Sequence, residues 1–159
     1  MKGLLVLLAA ALCAAVFAGG AGADRPLREF VPQGDDTISG VCAFDVGLTV
    51  LANRTYQETF SDGRIQVSGT LKLQLTNLSP GGTSLVLDVS GPGVITDTPD
   101  LFEIKAEGRW FWIFEPDDLA PGSPAMMLLT SGLTYMRTDA NGVTFTPSEN
   151  TTDLCAALS

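Results

Sequence analysis

Few residues of this chain could carry out covalent chemistry. Histidine is absent from all 159 residues, which excludes Ser-His-Asp and Cys-His nucleophiles and any histidine-based metal site. The sequence also has no glycine-rich phosphate loop and no Ser-x-x-Lys motif that would activate a serine. We therefore predict a protein that is not an enzyme, with no catalytic residue and no cofactor.

Carboxylates are the remaining candidates for catalysis or metal binding. Glycoside hydrolysis needs an acid and a base on either side of the scissile bond. With 18 Asp and Glu residues, some close pair is expected by chance, so a carboxylate hydrolase is the least favoured hypothesis. Acidic clusters occur at Glu115, Asp117 and Asp118 and at Asp97 and Asp100. They lack the alternating spacing and closing glutamate of a dedicated calcium loop, so we predict solvated loop acids and no metal site.

The pentapeptide Trp110–Phe114 is the strongest candidate for binding, because it is apolar at every position. A strand with one solvent-exposed face alternates apolar and polar residues. If Trp110, Trp112 and Phe114 face the core, Phe111 and Ile113 face outward and need cover. The arm or tail of the same chain is the favoured cover, and a subunit or ligand is the alternative. The candidate ligand-binding residues are Trp110, Phe111, Trp112 and Tyr135.

Two cysteines, Cys42 and Cys155, remain if the N-terminal segment with Cys13 is removed. They allow one intramolecular disulfide, which an oxidising compartment would favour. This bond would close a loop of about 113 residues (155 minus 42), for which the chain-entropy model gives roughly 4 to 5 kcal/mol. It would hold the C-terminal tail against the first strand. Two free thiols, or a metal pair, are the alternatives.

Residues 1–23 have the three-part layout of a secretory signal peptide. Lys2 gives a positive start, Leu4–Ala18 is apolar, and small residues lead to a cleavage site after Ala23. The apolar run of about 15 residues is shorter than the roughly 20 that cross a bilayer. A lipoprotein modified at Cys13 is also disfavoured, because a leucine precedes that cysteine. We predict a secreted, extracellular protein without stable membrane anchoring.

The elements that position these residues are strands. Residues 24–40 have the composition of an irregular N-terminal arm, since Pro26, Pro32 and Gly34 interrupt regular patterns. From Cys42 onward the apolar residues alternate, most clearly over 64–76, and Asp62-Gly63 predicts a hairpin turn. Residues 41–159 are therefore expected to form a single all-β domain. We predict an antiparallel β-barrel or β-sandwich of about nine short strands with meander-like connections.

The net charge limits the classes of molecule that this protein could bind. A formal charge of -9 argues against nucleic acid, because its phosphates repel an acidic surface. The main hypothesis is an extracellular binding or interaction module for an unknown ligand or protein partner, which uses the aromatic strand or a barrel mouth. The alternative is a lipocalin-like carrier that holds a small apolar ligand inside a barrel.

Several short features carry a resemblance to known proteins: the leader, the cysteine near the first strand, Lys105-Ala106-Glu107-Gly108-Arg109 and the closing Asp153-Leu154-Cys155-Ala156-Ala157-Leu158. Through them the chain resembles small exported bacterial β-proteins of uncharacterised function. It implies secretion, an all-β domain and a terminal cysteine. It brings no catalytic residues.

Overall fold

The computed structural model describes residues 26–159. The predicted leader 1–23 and Cys13 lie outside the described residues. Twelve strands and one short helix form in this part of the chain: β1 (Leu27–Phe30), β2 (Asp36–Ile38), β3 (Val46–Thr59), β4 (Arg64–Asn77), β5 (Ser84–Asp88), β6 (Gly93–Thr98), β7 (Leu101–Ala106), β8 (Arg109–Phe114), β9 (Met126–Ser131), β10 (Thr134–Asp139), β11 (Gly142–Thr146), β12 (Asn150–Asp153) and α1 (Leu154–Ala157). The prediction of an all-β fold is confirmed.

The prediction of an irregular arm over 24–40 is wrong for two short segments. β1 and β2 lie in the arm, and both pair antiparallel with β3. The 14-residue β3 has a long edge beside the arm. Short segments of poor β propensity form strands there because their backbone groups hydrogen-bond to β3. The side chain of Asp35 reinforces the contact by accepting a hydrogen bond from the Val50 backbone N–H over 2.7 Å.

The strands form two antiparallel sheets. The large sheet has nine strands in the order β1-β3-β4-β6-β7-β10-β11, with β2 beside β3 and β5 beside β4. The small sheet has three strands in the order β12-β9-β8. Within residues 26–159 neither sheet closes on itself, so of the two predicted architectures the sandwich fits.

Hairpins make most of the connections, as a meander predicts, but the chain leaves the large sheet after β7. β7 pairs with β10, while β8 pairs with β9 in the other sheet. Around the tip of the β3–β4 hairpin, Gly63 has a φ of +85° and the Phe60 backbone N–H bonds the Arg64 carbonyl. The turn therefore spans three residues, Ser61 to Gly63, rather than the two that Asp62-Gly63 suggested.

β8 and β9 of the small sheet pack on both faces, whereas the residues of β12 are exposed. Met127 and Leu129 of β9 pack with residues of β3, β4, β5 and α1, and Phe111 of β8 joins this cluster. Trp112 and Phe114 point to the opposite face and pack with residues of β7, β10 and β11. The two faces of Trp110–Phe114 therefore differ in cover: Trp112 and Phe114 are buried, whereas Phe111 is half-buried and Ile113 is exposed. Trp112 and Phe114 therefore lie in the core, which is the orientation considered as a condition from the sequence alone.

The disulfide between Cys42 and Cys155 is present, with 5.4 Å between the two Cα atoms. It joins the segment ahead of β3 to α1. Cys42 was expected inside the first strand of the domain, whereas β3 begins at Val46. No helix within residues 26–159 has the length and apolar character needed to cross a membrane.

Candidate binding cleft

A cleft of about 440 Å³ opens between the large sheet and β8. This volume is within the roughly 300 to 1,000 Å³ of small-molecule sites. Its apolar lining comes from the arm, the β3–β4 hairpin, the β5–β6 segment and β8: Val31, Leu48, Val67, Leu71, Leu73, Val89, Ile95, Trp110, Phe111 and Ile113. Its polar residues are Gln33, Thr55, Gln57, Ser68 and Ser90, and the backbone at Gly69 and Gly91 completes the lining.

Gly69 of β4 is one of the lining residues of the cleft. Gly69 has a φ of +129° and pairs with Thr55 of β3. A Cβ atom at Gly69 would overlap the Arg54 carbonyl oxygen, so only glycine fits there. β4 continues through Gly69 without a break, and the irregularity in the β3–β4 register falls at Leu51 of β3.

β5 and β6 border the cleft as two halves of one interrupted strand. Both pair antiparallel with β4, β5 at one end and β6 at the other. Between them, the Ser90 hydroxyl accepts a hydrogen bond from the Leu71 backbone N–H over 3.0 Å. A side chain therefore replaces a missing backbone partner at the break, and the chain can turn toward β8 there.

Trp110 is a firmly held wall of the cleft. Its indole Nε1–H donates to the Pro92 carbonyl oxygen over 3.1 Å. A Cβ atom at Gly93 would overlap the indole ring, so the glycine makes room for it. On its other side the ring stacks on Trp112 at 5.6 Å between centroids. These contacts restrict the Trp110 rotamer, so this wall is preorganised for a ligand.

Phe111 and Ile113 form the β8 side of the cleft. They alternate with Trp112 and Phe114, so their side chains share the face that looks toward β3 and β4. Phe111 is half-buried, whereas Ile113 is 41% exposed. Ile113 therefore lies at the mouth, where a ligand would first meet the apolar lining.

The structure brings together two of the four sequence-predicted binding residues, Trp110 and Phe111. Trp112 is buried in the core, where its Nε1–H donates to the Thr130 hydroxyl over 3.0 Å. Tyr135 is 37% exposed on β10 and is not among the residues that line the cleft. The neighbouring Met136 packs into the core, so the tyrosine points to the outer face of the sheet.

Several lining residues were not singled out from the sequence, among them Leu71, Leu73, Val89 and Ile95. Their alternation with polar residues marks them as inward-facing. Alternation does not tell a tightly filled interior from one with an opening, so nothing in the pattern separates these residues from the core.

The electrostatics of the cleft are neutral. None of its lining residues is Asp, Glu, Lys or Arg. The Thr55 hydroxyl is buried and has no hydrogen-bond partner among the described residues. The cleft can therefore bury apolar surface and has few groups that could balance an ionised ligand.

The carboxyl groups with shifted pKa values lie outside the cleft lining. Hydrogen bonds from Ser90 lower the pKa of Asp88. The Arg64 side chain lowers the pKa of Asp62, and the Asn141 backbone N–H lowers the pKa of Asp139. In each case the carboxylate is stabilised by a neighbour two residues along the chain. These shifts indicate turn formation rather than acid–base catalysis.

The acidic loop after β8 uses its side chains to hold its own backbone. Asp117 accepts a hydrogen bond from the Gly122 N–H over 2.6 Å, and Asp118 accepts one from the Glu115 N–H over 2.7 Å. Within residues 26–159, no group of three or more His, Cys, Asp or Glu side chains is placed to hold a metal ion.

A second depression of about 510 Å³ lies at one end of the small sheet, between Arg109, Leu129 and residues 149–152. It is shallower and mostly polar. Apolar walls bury more ligand surface away from water, so the cleft beside β8 is the stronger candidate.

Comparison with known proteins adds no assignment: no family model, curated protein or solved structure matches the chain. The chemistry of the cleft is therefore the basis for a functional conclusion.

Proposed function

We propose that this chain is an exported, non-enzymatic binding domain that takes an uncharged, apolar group of its ligand into the cleft beside β8. The observation that carries the proposal is a preorganised opening of about 440 Å³ whose lining contains no ionisable side chain.

Desolvation favours an uncharged ligand. An ionised group that enters the cleft loses hydration and meets no opposite charge in the lining. An apolar group gains about 25 cal/mol for each Å² removed from water. The ligand portion that fits is therefore apolar, with polar atoms directed toward the glutamines and Ser68.

A binding role, rather than catalysis, is supported by the same lining. General acid–base catalysis needs a titratable side chain within hydrogen-bond reach of the substrate. The cleft contains amides and hydroxyls and no histidine or carboxylate. Serine hydroxyls without an adjacent base are weak nucleophiles.

Export is supported by the disulfide and by the predicted leader. A bond between Cys42 and Cys155 forms and persists most readily in an oxidising compartment. The signal-like layout of residues 1–23 leads to the same proposal.

Carriage of a whole small apolar molecule is the second candidate function. Its supporting observation is the cleft volume, which suits a compact ligand. In this form the carrier would hold its ligand between two sheets, instead of inside the barrel first expected for it.

Titration with N-phenyl-1-naphthylamine, an uncharged apolar fluorophore, tests the proposal. We expect saturable binding that Ile113→Asp weakens by about tenfold or more, because a charge at the mouth must be desolvated. Val86→Asp is the matched control, since Val86 is an apolar strand residue, 62% exposed, outside the cleft lining. Equal binding by both variants, or no saturable binding to the native protein, would contradict the proposal.

A further inference from the structure

β8 is an edge strand beside the cleft. Within residues 26–159 its one neighbour in the small sheet is β9. In an antiparallel pair, alternate residues direct their backbone N–H and C=O groups toward the neighbouring strand and away from it. The hydrogen bonds at the start of β8 show which of its residues direct their backbone groups away from β9.

The backbone hydrogen bonds of Gly108 and Arg109 point to opposite sides of β8. The Gly108 carbonyl accepts from the Gly132 N–H at the β9 side, over 2.9 Å. The Arg109 carbonyl accepts from the Gly91 N–H, away from β9, over 3.1 Å. Odd-numbered residues of β8 therefore direct their backbone groups away from β9. The N–H and C=O groups of Phe111 and Ile113 lie along the open edge.

The same two residues line the cleft with their side chains. Two backbone donors and two acceptors thus border an apolar opening, two residues apart along β8. An extended peptide has the same two-residue period: alternate residues bond one neighbour and direct their side chains to one face. A compact apolar molecule would use the opening and leave the backbone groups unused.

We propose that the occupant of the cleft is an extended peptide segment that adds to β8 as a further strand, with its alternate apolar side chains in the cleft. This inference rests on the proposed binding function and names the partner class for that site. The backbone of Phe111 and Ile113 supplies affinity, and the uncharged lining selects apolar side chains at every second position.

The negative charge of the protein predicts which residues would flank the apolar positions of the peptide. The chain has a formal charge of -9, and Glu29 lies beside the cleft, where its carboxylate accepts a hydrogen bond from the lining Gln57 over 3.4 Å. Basic residues on either side of the apolar positions would therefore be attracted to the rim.

The probe is acetyl-Lys-Val-Thr-Val-Thr-Val-Lys-amide, titrated against the full disulfide-bonded chain and followed by tryptophan fluorescence. Two further peptides carry N-methyl groups on all valines or on both threonines. A strand bonds its neighbour through one alternate set of residues, so we expect one methylated peptide to lose about tenfold or more in affinity and the other to bind as the parent does. Equal loss in both peptides, or none in either, would overturn the inference.

A protein variant gives an independent test. Ile113→Pro removes an N–H that points away from β9, and proline is tolerated on a free strand edge. Ile113→Val keeps the N–H and is the matched control. We expect the proline variant to bind the peptide about tenfold or more weakly than the valine variant. Similar peptide affinity in the two variants would contradict strand addition.

N-phenyl-1-naphthylamine separates this inference from the function on which it rests. Saturable binding of the fluorophore with no binding of the peptide would overturn strand addition and leave the apolar-ligand function standing. Failure of both to bind would overturn both. Both proposals would be supported if the parent peptide displaces the fluorophore and only one of the two N-methylated peptides does so.

Discussion

The side-chain amide of Asn77 donates a hydrogen bond to the backbone carbonyl oxygen of Leu158 over 3.0 Å. The two residues are 81 positions apart and both are buried. The Thr83 hydroxyl donates to the same oxygen over 2.8 Å. The end of β4 and the following loop thus hold Leu158, whose side chain packs into the core, close in sequence to the disulfide at Cys155.

Asn77→Ala should lower the free energy of unfolding by about 1 to 3 kcal/mol, because it removes a buried hydrogen bond and leaves the Ser79 N–H without its side-chain acceptor. Urea denaturation of the oxidised protein measures this change. Asn150→Ala, at an exposed strand position, is the control and should shift stability by less than about 0.5 kcal/mol. Equal effects would show that Asn77 does not hold the C-terminus.

Thr55→Val should raise the free energy of unfolding by about 1 kcal/mol, because the buried Thr55 hydroxyl has no partner within residues 26–159. The opposite sign is expected for Thr130→Val, which removes the acceptor of the Trp112 Nε1–H and should cost about 1 to 3 kcal/mol. Thermal or urea unfolding of the pair gives the comparison. Two changes of the same sign would contradict it.

Gly93→Ala should displace Trp110, because the added methyl group overlaps the indole ring. We expect a loss of about 1 to 3 kcal/mol in stability together with a change in near-ultraviolet circular dichroism and weaker N-phenyl-1-naphthylamine binding. Gly34→Ala is the matched control, since no atom lies within 4 Å of a Cβ built there. Unchanged aromatic dichroism in the Gly93 variant would refute the role assigned to this glycine.

Stability should fall at acidic pH partly through the turn carboxylates Asp62 and Asp139. Their pKa values in the folded protein lie below the ordinary 3.8, so each stabilises the fold above that pH, and the contribution disappears as pH falls through the folded pKa. Asp139→Asn should flatten the decline of stability below about pH 4. The measurement is urea denaturation across acidic pH. A native and a variant curve of equal slope there would refute the contribution of Asp139.

Local patterns predicted much of this fold correctly. The alternation along 64–76 gives β4, Asp62-Gly63 lies in the β3–β4 hairpin, and the two cysteines of the domain are joined. The arm was misjudged because β1 and β2 depend on pairing with β3, and pairing with a distant strand leaves no trace in the composition of a short segment.

The candidate site was only partly predictable. Trp110 and Phe111 stood out because five apolar residues in succession are unusual in a half-buried strand. Trp112 shares that pattern but lies in the core, and Tyr135 lies on an outer face, since aromatic character alone does not report which surface a residue meets. Leu71 and Ile95 were missed because their pattern is that of any inward-facing strand residue.

By itself, the sequence determined the periodicity of the strands, the positions of the turns and the one possible disulfide within residues 41–159, because these depend on neighbouring residues and on residue type. Only the tertiary structure decided that the small sheet lies between two parts of the large one and that a cleft stays open beside β8. Those features depend on how distant strands pair and pack, and the space between packed sheets is a property of all their side chains together.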